Sequence, residues 1–89
     1  MSRVSGYIEI KLSSRRLAES IARALSVEAS SPPDPSRGSV RVITNDDKVI
    51  IEIKARDLPA ARTLFTTFLG LASTVIDAVT SIDEKNQQA

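Results

Sequence analysis

The sequence predicts one α+β domain with the element order β-α-β-β-α. Three segments alternate apolar and polar residues with the period of a strand, and two segments repeat apolar residues with the period of a helix. The chain has 89 residues, which is the size of one small domain with a limited core. Since so small a core gives marginal stability, a role in an assembly is a natural expectation.

The first half of the chain is predicted to contain a strand, a helix and a loop. Residues 4–12 alternate in polarity and form a half-buried strand. Ser13 or Ser14 can cap a helix, because the hydroxyl accepts from free N–H groups of the first turn. That helix extends to about Val27 and carries apolar residues at helical spacing, namely Leu17, Ala18, Ile21, Ala22 and Leu25. Residues 30–38 hold three of the four prolines and are predicted to be an exposed loop.

The second half is predicted to contain a hairpin followed by a long helix. β-Branched residues mark strands at 39–44 and 48–55, and Asn45-Asp46-Asp47 between them is typical of a turn. Asp57, just before Leu58 and Pro59, is a start signal for a helix that runs to about Ile82. The polar residues that follow are predicted to fray, which gives a domain over residues 1–83 and a disordered tail over 84–89.

The last helix has a wider apolar face than one sheet needs. About 25 residues make it roughly 37 Å long, whereas a strand of about eight residues spans about 26 Å. Eight apolar residues follow the spacing that packs helix against helix, namely Leu58, Ala61, Phe65, Phe68, Ala72, Val75, Val79 and Ile82. The pattern predicts packing on another protein, although burial on the sheet and on the first helix would also explain it.

The opposite face of this helix is polar but almost uncharged, with Asp77 as its only charge between Thr63 and Ile82. Solvent-facing helices usually carry Lys and Glu, and a helical glycine costs about 1 kcal/mol relative to Ala. We interpret this face as a contact surface, and expect Gly70→Lys or Thr74→Arg to weaken partner binding without unfolding the chain. The alternative is that this face is an ordinary exposed surface on which the residue types serve no function. The small-residue ridge on this face comprises Thr63, Thr67, Gly70, Thr74 and Ser81.

The junction between the last strand and the long helix carries a family pattern. Residues 51–58, read Ile-Glu-Ile-Lys-Ala-Arg-Asp-Leu, are followed by Ala61-Arg62-Thr63-Leu64 and Phe68-Leu69. This passage resembles the Pcc family of small KEOPS-complex subunits, in which a strand ends in Ala-x-Asp and the next helix reads Arg-Ala-x-x-Asn-Ser-aromatic-Leu. The element order agrees, as does Val27-Glu28 before a proline-containing loop. Thr66-Thr67 and Gly70 depart from the family's usual Asn-Ser and basic residue.

The resemblance implies a three-stranded antiparallel sheet with two helices packed on one face, a homodimer, and helices that bundle with the larger catalytic subunit of KEOPS. That complex makes N6-threonylcarbamoyladenosine in tRNAs that read codons beginning with A, and the small subunit is not its catalyst. The protein is thus expected to be a scaffold that meets tRNA indirectly, through the complex. On the helical wheel, the predicted partner interface is Leu64, Thr67, Phe68, Gly70, Leu71, Thr74 and Val75.

Composition argues against several other classes. There is no His or Cys and no metalloprotease, serine-hydrolase or P-loop pattern, so we expect no catalysis, metal site or cofactor. The adjacent Asp46-Asp47 is interpreted as turn chemistry. The lack of Cys fits a cytoplasmic location. The net charge of +1 gives no overall electrostatic field that would attract nucleic acid or an anionic membrane. No apolar run approaches the ~20 residues that span a bilayer, so no membrane partner is expected.

The main alternative is a small RNA-binding module that uses the outer face of the sheet. Its candidate phosphate contacts are Lys11, Arg41, Lys48 and Lys54, with Arg37 and Arg56 near the rim. Glu9 and Glu52 on the same face weaken this interpretation, and Tyr7 is its one candidate stacking ring. A small-molecule sensor of the ACT type has no recognisable pocket pattern here. Self-association alone could also cover the apolar arc.

Overall fold

The structure is a computed structural model that describes residues 3–30 and 35–88, with side chains described as far as residue 82. The element order is β-α-β-β-α, as the sequence predicts, with one short 3-10 turn added. The elements are β1 (Val4–Lys11), α1 (Arg15–Ser30), the 3-10 turn (Pro35–Arg37), β2 (Gly38–Asn45), β3 (Lys48–Ala55) and α2 (Leu58–Gln88). Part of the predicted proline-rich loop, residues 31–34, lies outside the described residues.

The three strands form one antiparallel sheet in the order β1-β3-β2, so β3 is the central strand. β1 pairs with β3 from Val4 opposite Ala55 to Lys11 opposite Lys48. β2 pairs with the other side of β3 along its whole length. Because successive side chains point to opposite faces, this register gives the sheet an apolar inner face and a polar outer face. β1 and β2 are edge strands.

The hairpin between β2 and β3 turns through Asp46 and Asp47. Asp46 has a φ of 57°, in the left-handed region that Asp tolerates better than most residues. The carbonyl of Asp47 accepts a hydrogen bond of 2.8 Å from the N–H of Leu12, which ties the turn to the end of β1. The interpretation of this acidic pair as turn chemistry is confirmed.

Both helices pack on the inner face, α1 against β2 and β3, and α2 against β3 and β1. Ser14 caps α1, since its Oγ accepts from the N–H of Leu17 at 3.1 Å. Asp57 caps α2 in the same way, with its Oδ1 2.9 Å from the N of Ala60. The predicted fold class is confirmed. The buried core comprises Ala18, Ile21, Ala22, Leu25, Val49, Ile51, Ile53, Ala55, Ala60, Ala61, Leu64, Phe68 and Ala72.

Gly6 allows α2 to approach β1 closely. A Cβ atom placed at this position would lie 2.8 Å from Cζ of Phe65, well inside van der Waals contact. The ring of Phe65, which is half-buried, therefore occupies the space that any larger residue on β1 would need. This contact seats the first half of α2 over the β1 side of the sheet.

α2 is much longer than the layer it covers. It has 31 residues against 16 in α1, or about 46 Å against about 24 Å, and each strand spans about 26 Å. Because only Arg56 and Asp57 separate β3 from α2, the helix turns back along β3 and projects about 20 Å past the hairpin end of the sheet. The predicted end near Ile82 is wrong, because the residues that follow include good helix formers and no Pro or Gly stops the helix before Gln88.

Candidate protein-interaction surfaces

Two of the predicted interface residues belong to the core. Leu64 is 5% exposed and Phe68 is 2% exposed. Both lie on the side of α2 that packs on the chain's own sheet, together with Ala61 and Ala72. The 3-4 spacing that packs one helix against another can also pack a helix on a sheet. In this part of α2, the residues at that spacing pack on the chain's own sheet. The structure therefore moves Leu64 and Phe68 from the predicted partner interface to the core.

The buried side of α2 continues past the sheet without cover. Ala72 is 3% exposed and Ile82 is 61% exposed, with Val75 and Val79 half-buried between them. The 3-4 spacing of these residues places them on the same side of the helix as Phe68. Burial declines along this side because the sheet ends, while the apolar pattern does not. We call Val75, Val79 and Ile82 the overhang stripe.

The small-residue ridge is on the surface, as predicted for a contact face, although nothing in the structure shows what contacts it. Thr67, Gly70 and Thr74 are exposed, and Leu71 beside them is half-buried. A Cβ at Gly70 would meet no atom within 4 Å, so packing within the chain does not require a glycine there. The hydroxyl of Thr74 donates to the carbonyl of Gly70 at 3.0 Å. That bond satisfies the hydroxyl on the helix itself and makes the ridge less polar than its sequence suggests.

The segment Leu58–Ile82 of α2, which contains an 18-residue stretch with a mean hydropathy of 1.4, is long and apolar enough to cross a membrane by length and composition alone. This finding corrects the expectation that no segment approaches that length. The expectation considered uninterrupted apolar runs, whereas Thr and Ser interrupt this segment without adding charge. The first half of the helix nevertheless contributes Ala60, Ala61 and Leu64 to the core. Core helices of soluble proteins meet the same criterion.

The predicted phosphate contacts share the outer face of the sheet, but two of them are paired with carboxylates. Nζ of Lys48 lies 3.3 Å from Oε1 of Glu9, and Nε of Arg41 lies 3.8 Å from Oε1 of Glu52. These pairs are partly exposed and add little stability, yet they offset the positive charge at the middle and hairpin end of this face. The other two predicted contacts, Lys11 and Lys54, have no carboxylate of a described residue within ion-pair distance.

A groove of about 510 Å³ runs between α1 and the free edge of β2. Sequence reasoning missed this surface, because a strand's place at the edge of a sheet depends on the pairing order. The free N–H and C=O groups of an edge strand are a template for pairing with another strand. The groove is lined by Glu19, Ala22, Arg23 and Ser26 from α1 and by Val42, Ile43 and Thr44 from β2.

The described residues include no group of three or more His, Cys, Asp or Glu that could hold a metal ion. Nor does any buried side-chain nitrogen or oxygen among them lack a hydrogen bond. The prominent features of the described surface are an uncovered helix side, a ridge of small residues and a free strand edge. The fold and these surfaces define a small α+β protein of the kind that binds other proteins.

Comparison with known proteins gives the family. The family described as "Transcription factor Pcc1" matches residues 5–80. The fold resembles a chain of the solved "Crystal structure of binary complex Gon7-Pcc1", with a TM-score of 0.74 and 16% identity, covering 89% of this chain and 95% of that chain. No curated protein matches the sequence. The chain belongs to the Pcc1 family of KEOPS subunits, and the resemblance seen at residues 51–69 is confirmed.

Proposed function

We propose that this chain is a non-catalytic scaffold subunit of KEOPS that binds the large catalytic subunit through α2. In that role it would support formation of N6-threonylcarbamoyladenosine in tRNA, in the cytoplasm. Membership of the Pcc1 family supports a place in KEOPS. The observation that carries the proposal is the overhang stripe, where an apolar helix side leaves the sheet and continues uncovered.

A helix of the partner fits this overhang better than a flat surface does. The stripe keeps the 3-4 spacing that a second helix needs for regular side-chain packing. Gly70 and Thr74, which line the neighbouring ridge, are small enough to let another helix come close. Burying a branched aliphatic side chain fully stabilises a complex by about 1.5–3 kcal/mol. Covering Val75, Val79 and Ile82 would therefore supply several kcal/mol in total.

The first experiment measures the mass of the purified protein by light scattering, alone and mixed with the large subunit. We then compare Ile82→Lys with Ser73→Lys. Both changes add one charge to an exposed position of α2, but Ser73 lies away from the stripe. Ile82→Lys should weaken the complex by at least about 1.4 kcal/mol, or tenfold, while Ser73→Lys should not. Equal affinities for the two variants would remove the stripe from the interface.

The ridge is tested separately by Gly70→Lys and Thr74→Arg. Both residues are exposed, so neither change should alter the far-ultraviolet circular dichroism of the chain. If the partner also packs on the ridge, both variants should bind the large subunit more weakly than wild type. Wild-type affinity in both would confine the interface to the overhang stripe.

We also propose that the chain pairs with a second copy through the free edge of β2. The groove beside this edge supports the proposal, because it places the half-buried Val42 and Ile43 next to the unpaired backbone groups of the edge strand. Ile43→Lys, which places a charge on the edge strand, should lower the measured mass from that of a dimer to that of a monomer. Tyr7→Lys is the control, since it adds the same residue to the opposite edge strand, facing Glu52. A monomeric wild-type chain would end this part of the proposal.

A further inference from the structure

The groove between α1 and the free edge of β2 has one charge of each sign on its helical wall. Glu19 and Arg23 both line the groove, and because they stand four residues apart they lie on the same side of α1, one turn from each other. The other two residues of this wall, Ala22 and Ser26, are small. A second helix that came close to the wall would therefore meet a carboxylate and a guanidinium.

Glu19 and Arg23 are not paired with each other. Oε1 of Glu19 accepts a hydrogen bond of 3.1 Å from Nε of Arg15, one turn earlier. Arg23 is exposed, and no carboxylate of a described residue lies within ion-pair distance of it. The pair between Arg15 and Glu19 is itself exposed, so it holds the carboxylate weakly. Arg23 is thus a cation in the groove whose charge nothing in the described chain offsets.

The strand on the other side of the groove favours one symmetric pairing with a second copy. In an antiparallel pair of β2 strands, the two apolar faces stay together only when a residue, and not a gap between residues, lies on the two-fold axis. Arg41 on the axis would set two like charges face to face, which is destabilising. Ile43 on the axis would pair only residues 41–45. Val42 on the axis pairs residues 39–45 with no like charges opposite each other.

The same two-fold axis makes the α1 helices of the two copies antiparallel neighbours. α1 packs on β2, and its groove residues lie beside Val42. The small side chains of Ala22 and Ser26 suit the usual separation of packed helices, about 8–10 Å. In a two-fold contact, every pair of residues that meet across the axis occurs twice. A contact between Glu19 of one copy and Arg23 of the other is therefore formed two times.

We propose that Glu19 and Arg23 form two reciprocal ion pairs between copies of the chain, and that these pairs fix the register that sets Val42 on the axis. The inference rests on the self-pairing proposed above for the β2 edge. It deepens that proposal by naming the residues that decide which strand edge is accepted. An edge that lacked a carboxylate and a cation at these positions would leave Arg23 unpaired and would be bound more weakly.

The ion pairs give the two assembly contacts of this chain different responses to salt. Salt screens exposed charges, since the Debye length falls from about 10 Å at about 0.1 M to about 3 Å at about 1 M. The overhang stripe carries no charge that salt could screen. Over this range of salt, the dimer should dissociate more readily by at least about threefold, while the affinity for the large subunit should not fall.

The test is charge reversal in the full chain, followed by sedimentation equilibrium at low salt. Glu19→Arg and Arg23→Glu each turn two attractions into two repulsions, so each should raise the dissociation constant of the dimer by at least about tenfold. The double variant restores opposite charges across the axis and should return to within about threefold of wild type. The control is Glu28→Arg, which makes the same change of charge at an exposed position of α1 outside the groove. It should leave the dimer unchanged.

Recovery in the double variant is the decisive result, because exchanging two charges would not repair a loss of helix structure. A double variant as weak as the single ones would overturn the proposal. So would single variants that dimerise like wild type, or a dimer whose dissociation constant is the same at low and high salt; these results would leave the self-pairing itself in place through other residues. A wild-type chain that stays monomeric at low salt would remove both the ion pairs and the self-pairing on which they rest.

Discussion

The two halves of α2 share one apolar spacing but have different surroundings. In the first half, Ala61, Leu64 and Phe68 are covered by the sheet and α1. In the second half, Val75, Val79 and Ile82 continue the same side of the helix past the end of the sheet, and cover is progressively lost. This difference shows that apolar periodicity identifies the side of a helix that needs to be buried. The length of the neighbouring elements then decides whether the chain itself can bury that side or a partner must.

The largest expected effect is in the covered half. Phe68→Ala should lower the free energy of unfolding by about 3–5 kcal/mol, because it deletes a large side chain from a closed core. Urea denaturation followed by circular dichroism measures the loss. Leu69→Ala is the control on the next residue, which is 52% exposed and should change stability far less. Similar losses in both variants would mean that the sheet-facing side and the exposed side of the first half contribute equally to stability.

A smaller effect is expected where the covered half meets β1. Gly6→Ala should destabilise the chain by about 1–3 kcal/mol, because the new Cβ pushes against the ring of Phe65. Phe65→Leu should relieve the clash, so the double variant should lose less than the two single losses added together. Strict additivity in urea denaturation would argue that the ring does not rest on Gly6.

At the boundary between the halves, Gly70→Ala should raise stability by up to about 1 kcal/mol. Alanine favours the helix, and the new methyl group meets no atom of the chain within 4 Å. Thermal unfolding measures the gain. If affinity for the large subunit falls while stability rises, the glycine serves close approach of the partner. A loss of stability would contradict the open surroundings of this position.

The smallest effect on stability is expected at the far end. Ile82→Ala should change the free energy of unfolding by less than about 0.5 kcal/mol, because the side chain is 61% exposed. It should still weaken the complex with the large subunit, which light scattering or calorimetry measures. A stability loss close to that of Phe68→Ala would show that the free chain covers the overhang stripe itself, for example by self-association.

The order and type of the three strands and two helices could be predicted from the sequence, because alternation, helical spacing and the turn at Asp46-Asp47 are local signals. The assignment of Leu64 and Phe68 could not, since a helical wheel does not distinguish the chain's own sheet from a partner. The pairings of Lys48 with Glu9 and of Arg41 with Glu52 depend on strand register. These features join residues distant in sequence, and only the folded chain brings them together.

The projecting half of α2 has a consequence for local opening and for the thermodynamics of binding. Its backbone hydrogen bonds are supported by the helix alone, so its amide protons should exchange with solvent far sooner than those of the half that covers the sheet. A partner that seats on the overhang stripe must first suppress this opening, and the ordering cost will weaken the measured affinity. Slowed amide exchange on complex formation, confined to residues beyond Ala72, would therefore trace the footprint of the partner along the helix.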